Sequence, residues 1–443
     1  MGVLNNSMWN VASGSSDFYE YKITNCLRLN GTDQALEKTF SNAASDDDKK
    51  AISVWIKRAG ATGTNSVFGS TTNTKIVSAS TGNGAVGMSL EINTNNPTGY
   101  SDQFHYYNAE GGGNYLKAKW RDPSAWIHIV WIYNSDESTA ADRVKVYING
   151  DQKVINDSTV WDNDGNNGYP NSGTDTTVGK NSCEMHIGRY VYDDGGWWGG
   201  LMADFICIDG TAAITDFGET KNGVWIPKDP SGLTFGNNGF WLKFTNSSAM
   251  GEDYSGNDND FAHIGTISTH DQLKDSPTNN FPVFNPINNV NSSSYAEGNL
   301  KPTGTVWTAA YGTFEVPMTG SWYWECISTN HVYGYPGVQT TTTQANQQNH
   351  DFVAVQTGEY RYEGTGEANT SSIGTGDIIA FWVNDGVIKV YVNNSLDHTF
   401  GTNMSAGAHV GGATMPYYPS WIGNAAGVFN FGQDSSFAGA KTA

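Results

Sequence analysis

Hydrophobic and polar positions alternate in two short stretches that lie far apart in the chain. In Val144-Lys145-Val146-Tyr147-Ile148 the β-branched residues are separated by Lys145 and Tyr147, and Ile388-Lys389-Val390-Tyr391-Val392 repeats that order. A period of two marks a strand with one buried face, so Val144, Val146, Ile148, Ile388, Val390 and Val392 are expected to point into a core. Each stretch stops at a dipeptide, Asn149-Gly150 or Asn393-Asn394, that accepts the positive φ angles of a tight hairpin. An apolar strand and a polar loop precede each one, at residues 126–133 and 377–383. The pattern predicts an all-β chain with two related β-sandwiches in tandem, each organised around this hairpin.

Further strands are expected at residues 26–31, 51–58, 66–69, 86–92, 103–107, 186–189 and 200–210, and then at 320–326, 358–364, 375–380 and 428–433. Segment 51–58 fits two periods: Ile52, Val54 and Ile56 alternate as a strand, whereas Ile52, Trp55, Ile56 and Ala59 suit a helix. Its β-branched and aromatic content, with Gly60 directly after, selects the strand. Residues 1–19 form a polar arm carrying Met8, Trp9, Phe18 and Tyr19, suited to docking or to covering a sheet edge. The first sandwich is expected over 20–215 and the second over 295–443. Residues 216–294 read as an extended bridge with short strands at 223–228 and 239–244. Its aromatic anchors predict packing on the first sandwich, and the proline-rich run at 277–286 reads as extended, solvent-stepping chain.

Composition agrees with short strands and turn-rich loops: 52 glycines and 13% aromatics in 443 residues, without the long periodicity of a helical bundle. The net charge of −20 argues against a nucleic-acid binder, which needs cations to displace counterions from phosphates. The four cysteines, Cys26, Cys183, Cys207 and Cys326, have no metal-type spacing and read as buried free thiols. Residues 1–14 lack the basic and apolar regions of a secretory signal, and no apolar run is long enough for a membrane span. Synthesis in a cytoplasm without membrane insertion is therefore expected.

Leu4-Asn5-Asn6-Ser7-Met8-Trp9-Asn10, Leu27-Arg28-Leu29-Asn30, Arg121-Asp122-Pro123-Ser124-Ala125-Trp126-Ile127-His128, Ile187-Gly188-Arg189, Ala203-Asp204-Phe205 and Ile208-Asp209-Gly210-Thr211 occur in that order around the first hairpin. This run resembles the laminin-G-like, concanavalin A-like jelly-roll domain of tailed bacteriophages, especially those of marine bacteria. In the second half, Trp322-Tyr323-Trp324-Glu325, Gly376-Asp377 and the closing Asn430-Phe431-Gly432 are similar to the SPRY domain, itself a concanavalin A-like sandwich. Asn394 departs from the glycine more often found at that turn. The resemblance implies a virion-surface protein assembled in a bacterial host's cytoplasm. It also implies other virion proteins as partners and a homo-oligomer, with a trimer as the form common in phage fibres.

No catalytic constellation stands out. Glycanases of this fold place alternating acids on one strand, but Glu91, Asp204 and Glu325 occur singly, and His128 reads as a core histidine. A non-enzymatic role is expected. Glycan binding calls for aromatic faces flanked by Asp and Asn, and three loop clusters offer them. These are Trp161, Asp162 and Asp164 with Tyr169; Tyr192, Asp193, Asp194 and Trp197; and Tyr333 and Tyr335 with Tyr417 and Tyr418. Trp198, directly before a strand, reads instead as a plug of the sandwich. For metal, Asp162 and Asp164, and Asp258 and Asp260, gather the oxygen donors calcium prefers, although Asx turns account for them equally well. The expected function is a tail or head fibre adhesin that binds a host-surface glycan or receptor. The alternatives are a capsid or tail decoration protein and a polysaccharide depolymerase.

Overall fold

The computed structural model describes residues 18–59, 74–80, 86–93, 101–109, 112–163, 168–191, 195–290, 294–304, 308–317, 319–330, 334–339, 353–356, 359–362, 365–368, 373–403 and 416–434. These residues are almost entirely β, with one four-residue helix at Ala140–Arg143 and a few 3-10 turns. No helix among them is long and apolar enough to cross a membrane. The chain divides into two compact units, Met1–Asn280 and Phe281–Ala443.

The first unit packs two antiparallel sheets. One runs Asp151–Lys153, Val144–Ile148, Ile127–Asn134, Lys49–Arg58, Gly199–Asp209, Cys26–Asn30 and Gln272–Leu273, with Phe240–Leu242 also paired to Gly199–Asp209. The other runs Trp161–Asn163, Gly112–Lys119, Gln103–Asn108, Val86–Asn93, Thr74–Ser80, Glu184–Ile187, Ala35–Thr39 and Ala262–Ile264. Leu27, Ile52, Val54, Ile56, Val144 and Val146 of the first meet Ile76, Leu90, Phe104 and Met185 of the second in a continuous core. The expected inward set of the first hairpin is found there, and Trp198 lies buried in the same core.

Strand Lys49–Arg58 is buried on both faces because a second apolar cluster covers the outer face of its sheet. Phe217, Phe235 and Trp241, from the segment that follows the first run of strands, close over Ala51, Val130, Ile206 and Ile208. Ion pairs fix the rest of that segment. Lys57 Nζ lies 2.8 Å from Asp275, Arg28 lies 3.1 Å from Asp271, and Trp126 Nε1 donates to Asp275 at 2.9 Å. All four of those charged side chains are buried, so each cation holds its partner carboxylate where neither could be left alone.

The second unit has two main sheets and a two-stranded one, Ser294–Ala296 with Lys301–Thr303. Seven strands run Phe284–Val290, Thr308–Gly312, Tyr418–Gly423, Gly334–Gln339, Val353–Gln356, Glu359–Tyr362 and Thr365–Ala368. Five run Ser395–Asn403, Val387–Val392, Ile378–Asn384, Ser321–Ser328 and Gly427–Asn430. Phe429 of the smaller sheet meets Phe284 edge-on at 4.6 Å and Trp421 at 6.1 Å, so the sheets pack face to face. Residues 284–286, the end of the run read from sequence as solvent-stepping chain, instead open an edge strand, Phe284–Val290. A register irregularity between Phe284 and Asn289 accommodates Pro286. The unit therefore begins at Phe281, not near residue 295. The strand expected at 66–69 lies outside the described residues. All four cysteines are buried and free.

Candidate functional site

Both hairpins close through two left-handed residues, Asn149 (φ 51°) and Gly150 (φ 83°), and Asn393 (φ 49°) and Asn394 (φ 68°). That is the turn whose twist matches its flanking strands. The two registers agree as well. Val130 lies opposite Tyr147 and Ile132 opposite Lys145, as Ala380 lies opposite Tyr391 and Trp382 opposite Lys389. On the neighbouring strand Ala51 and Ser53 face Ile132 and Val130, where Tyr323 and Glu325 face Trp382 and Ala380.

The two outer faces carry different side chains and have different surroundings. In the first unit Ala51, Val130, Ile132 and Tyr147 lie under Phe217, Phe235 and Trp241. Trp225 covers the turn itself: a Cβ on Gly150 would stand 2.4 Å from its ring. In the second unit the corresponding face holds Tyr323, Trp382 and Tyr391, and Tyr323 is 50% exposed. With Asn394 these three rings line an open groove of about 340 Å³. By register, the buried Ala380 lies between Glu325 and Tyr391 and two residues from Trp382, a position where a small side chain leaves room beside the rings.

Polar groups frame the rings. Lys389 Nζ stands 4.6 Å from the centre of the Trp382 ring, within cation–π range. Tyr323 donates its hydroxyl to Glu325 at 2.5 Å. Burial, followed by the Glu325 carboxylate, pushes the Tyr323 phenol well above its ordinary range. The phenol therefore stays protonated and donating at any physiological pH. Leu396, 54% exposed, lies opposite Tyr391 on the next strand. Flat rings beside a hydroxyl, an amide and an ammonium can stack on C–H faces while hydrogen-bonding hydroxyl groups.

The residues selected from sequence are placed elsewhere. Trp161 is buried in the first unit's core against Phe104, and Tyr169 donates to the Ile155 carbonyl at 2.5 Å, so both close the sandwich end. Asp162 pairs with Lys117 at 3.5 Å. Trp197 lies under the Arg189 guanidinium at 4.9 Å. Tyr335 and Tyr417 are buried, and Tyr418 packs on the second unit's core. These rings are occupied by the fold. Asp164, Tyr192, Asp193, Asp194 and Tyr333 lie outside the described residues. Near Asp258 and Asp260 the loop folds on itself. Asp253 accepts from the Trp241, Ser255 and Asn259 N–H groups, and Asp260 accepts from that of Asp253. Asx-turn bonding accounts for this loop's composition.

His128 is buried between Trp55, stacked at 4.4 Å, and Trp225, whose Nε1 donates to its Nδ1 at 2.8 Å. Its other nitrogen meets Ser53 Oγ at 2.8 Å. Burial lowers its pKa from 6.5 to about 3, so it is a neutral core histidine, as the sequence suggests.

No protein-family model matches the chain, and comparison with curated proteins gives no match. Among solved structures it is similar to a native heptameric SAP-like pentraxin from Limulus polyphemus, with 16% identity and a TM-score of 0.27 over 44% of this chain and 80% of the pentraxin. A candidate carbohydrate-binding protein from Bacteroides ovatus is similar at 14% identity and a TM-score of 0.35, over 56% of this chain and 61% of that one. Stonustoxin is similar at 13% identity and a TM-score of 0.25, over 34% and 28%.

Proposed function

We propose that this chain is a non-enzymatic, virion-displayed protein that binds a host-surface glycan through the groove of Tyr323, Trp382 and Tyr391. The observation that carries the reading is a contrast between matched faces. Both faces carry a tyrosine on the hairpin strand, Tyr147 and Tyr391, but where the first unit sets Ala51 and Ile132 beside it under a covering segment, the second sets Tyr323 and Trp382, with Tyr323 half exposed. Stacking on rings held by a rigid sheet costs little ordering entropy, because the platform is formed before the ligand arrives. The virion setting is supported by the likeness of the chain's motifs to tailed-phage proteins. The groove's neutral and singly charged frame suits recognition more than bond cleavage, since no pair of carboxylates flanks it among the described residues.

The test is calorimetric titration of host capsule and lipopolysaccharide fragments into the whole chain and into the Trp382→Ala and Tyr391→Ala variants. Each variant is expected to lose about tenfold or more in affinity with an unchanged melting curve. The wild-type chain should also block phage adsorption. Failure of the wild type to bind any host polysaccharide or to reduce adsorption would sink the proposal. Leu396 beside Tyr391 favours a second occupant, another virion protein. Finding this face buried in an assembled particle would select that reading.

A further inference from the structure

The first unit carries a separate cluster with metal-binding chemistry. Strands Ala35–Thr39 and Glu184–Ile187 pair antiparallel, with His186 directly opposite Glu37. Glu184 shares their face, two residues from His186, while Leu36, Met185 and Ile187 turn to the core. The register thus brings one imidazole and two carboxylates together on the outer side of the sheet. His186 Nε2 lies 2.8 Å from Glu184 Oε1 and 3.5 Å from Glu37 Oε2. One ligand atom from each of the three residues falls within 4.8 Å of the others.

The imidazole side chain is only 3% exposed and so is held in place, whereas Glu37 and Glu184 are 43% and 35% exposed and open to solvent. Nε2 offers at most one donor, so the two carboxylates beside it compete for a single hydrogen bond. Among the described residues neither carboxylate has a Lys or Arg partner. A divalent ion answers both needs. Bonds of about 2.0–2.2 Å to nitrogen and oxygen hold ligand atoms at spacings close to those present, so small swings of the two Glu side chains complete the set.

We infer that Glu37, Glu184 and His186 form a surface site for a divalent transition metal of the zinc class. The nitrogen ligand sets it apart from a calcium site, which takes oxygen donors. Three protein ligands leave a coordination position for water or an external group. Nδ1 of His186 has no hydrogen-bond partner among the described residues. The ring therefore lacks the outer acceptor that strengthens tight sites, and affinity is expected in the micromolar range rather than that of a structural zinc.

The experiment uses the whole chain, stripped with a chelator, and titrates Zn²⁺ against a chromogenic chelating dye. One equivalent is expected to bind to the wild type, insensitive to excess Ca²⁺, and to be lost in the Glu37→Gln/Glu184→Gln variant, which removes two of the three ligands. Those side chains are partly exposed, so the variant should keep the wild-type melting curve. His186→Gln provides the second arm and should lose the same equivalent. Absence of uptake by the wild type, undiminished uptake by both variants, or displacement of the zinc by Ca²⁺ would each overturn the assignment.

Discussion

Gly150 and Asn394 occupy the same position of two like turns, yet only one of them has to be glycine. Both are left-handed, at φ 83° and 68°, a region asparagine tolerates. At Gly150 there is a second demand, because Trp225 fills the space a side chain would take. Gly150→Ala is therefore expected to destabilise the chain by about 2 kcal/mol or more, read from urea unfolding. Asn394→Gly should stay within about 0.5 kcal/mol while weakening glycan binding, since it removes an amide from the groove. Asp204 offers a pH-dependent test. It is buried, takes hydrogen bonds from Trp241 Nε1 and the Tyr21 hydroxyl, and has its pKa raised from 3.8 to about 6 by burial. Between those values the native state holds a proton that the unfolded chain has released, so this group's contribution to stability falls as pH rises. Asp204→Asn should thus gain on the wild type by up to about 3 kcal/mol between about pH 4 and pH 7. His128 acts with the opposite sign, its depressed pKa costing stability as pH falls below 6.5. Comparing variant with parent at each pH cancels that contribution.

At the level of elements, the alternation in Val144–Ile148 and Val387–Val392 was enough to assign strands, turns and inward faces, because burial of one face is a local property of a strand. Segment 49–58 was legible as a strand from its β-branched content, but not as one buried on both sides. The cover comes from Phe217, Phe235 and Trp241, more than 150 positions later in the chain. The same non-local fact hid the groove. Tyr391 reads as an ordinary outward residue of a hairpin, and Tyr323 sits between two other aromatics, Trp322 and Trp324. Only pairing across three strands sets Tyr323 beside Trp382 and Tyr391 near both. A search for aromatics in loops therefore found rings that plug sandwich ends, such as Trp161. The one available signal was on the strand before the second hairpin, where Trp382 stands in the place Ile132 takes in the first unit. Ala380 gives this a direct test. Ala380→Leu should fill the floor between Glu325 and Tyr391 and abolish detectable glycan binding. Ala380 is buried, so the larger side chain is also expected to cost about 1–3 kcal/mol of stability, and binding is measured well below the variant's melting transition. Binding at wild-type strength in that variant would move the site elsewhere.

For the whole molecule, the informative boundary lies between Asn280 and Phe281. The sequence placed it near 295 because Pro277, Pro282 and Pro286 look like linker, and proline is disfavoured in central strands. An edge strand tolerates it, and Phe284–Val290 is such a strand, pairing with Thr308–Gly312. Phe284 is fully buried, with its ring against Phe429 and Phe431, and its N–H donates to the Asn299 carbonyl at 2.9 Å. Removing a buried phenylalanine costs about 3–5 kcal/mol, a large part of the roughly 5–15 kcal/mol that holds a domain together. A fragment of residues 281–443 is therefore expected to fold and to bind the glycan with the affinity of the whole chain. A fragment of residues 295–443 lacks the strand and its phenylalanine, and should show a broad, early melting transition with no binding. Equal melting of the two fragments would mean that residues 281–294 are linker after all. A folded 281–443 fragment without affinity would separate the unit from the proposed activity, because the groove of Tyr323, Trp382, Tyr391 and Asn394 lies wholly within it.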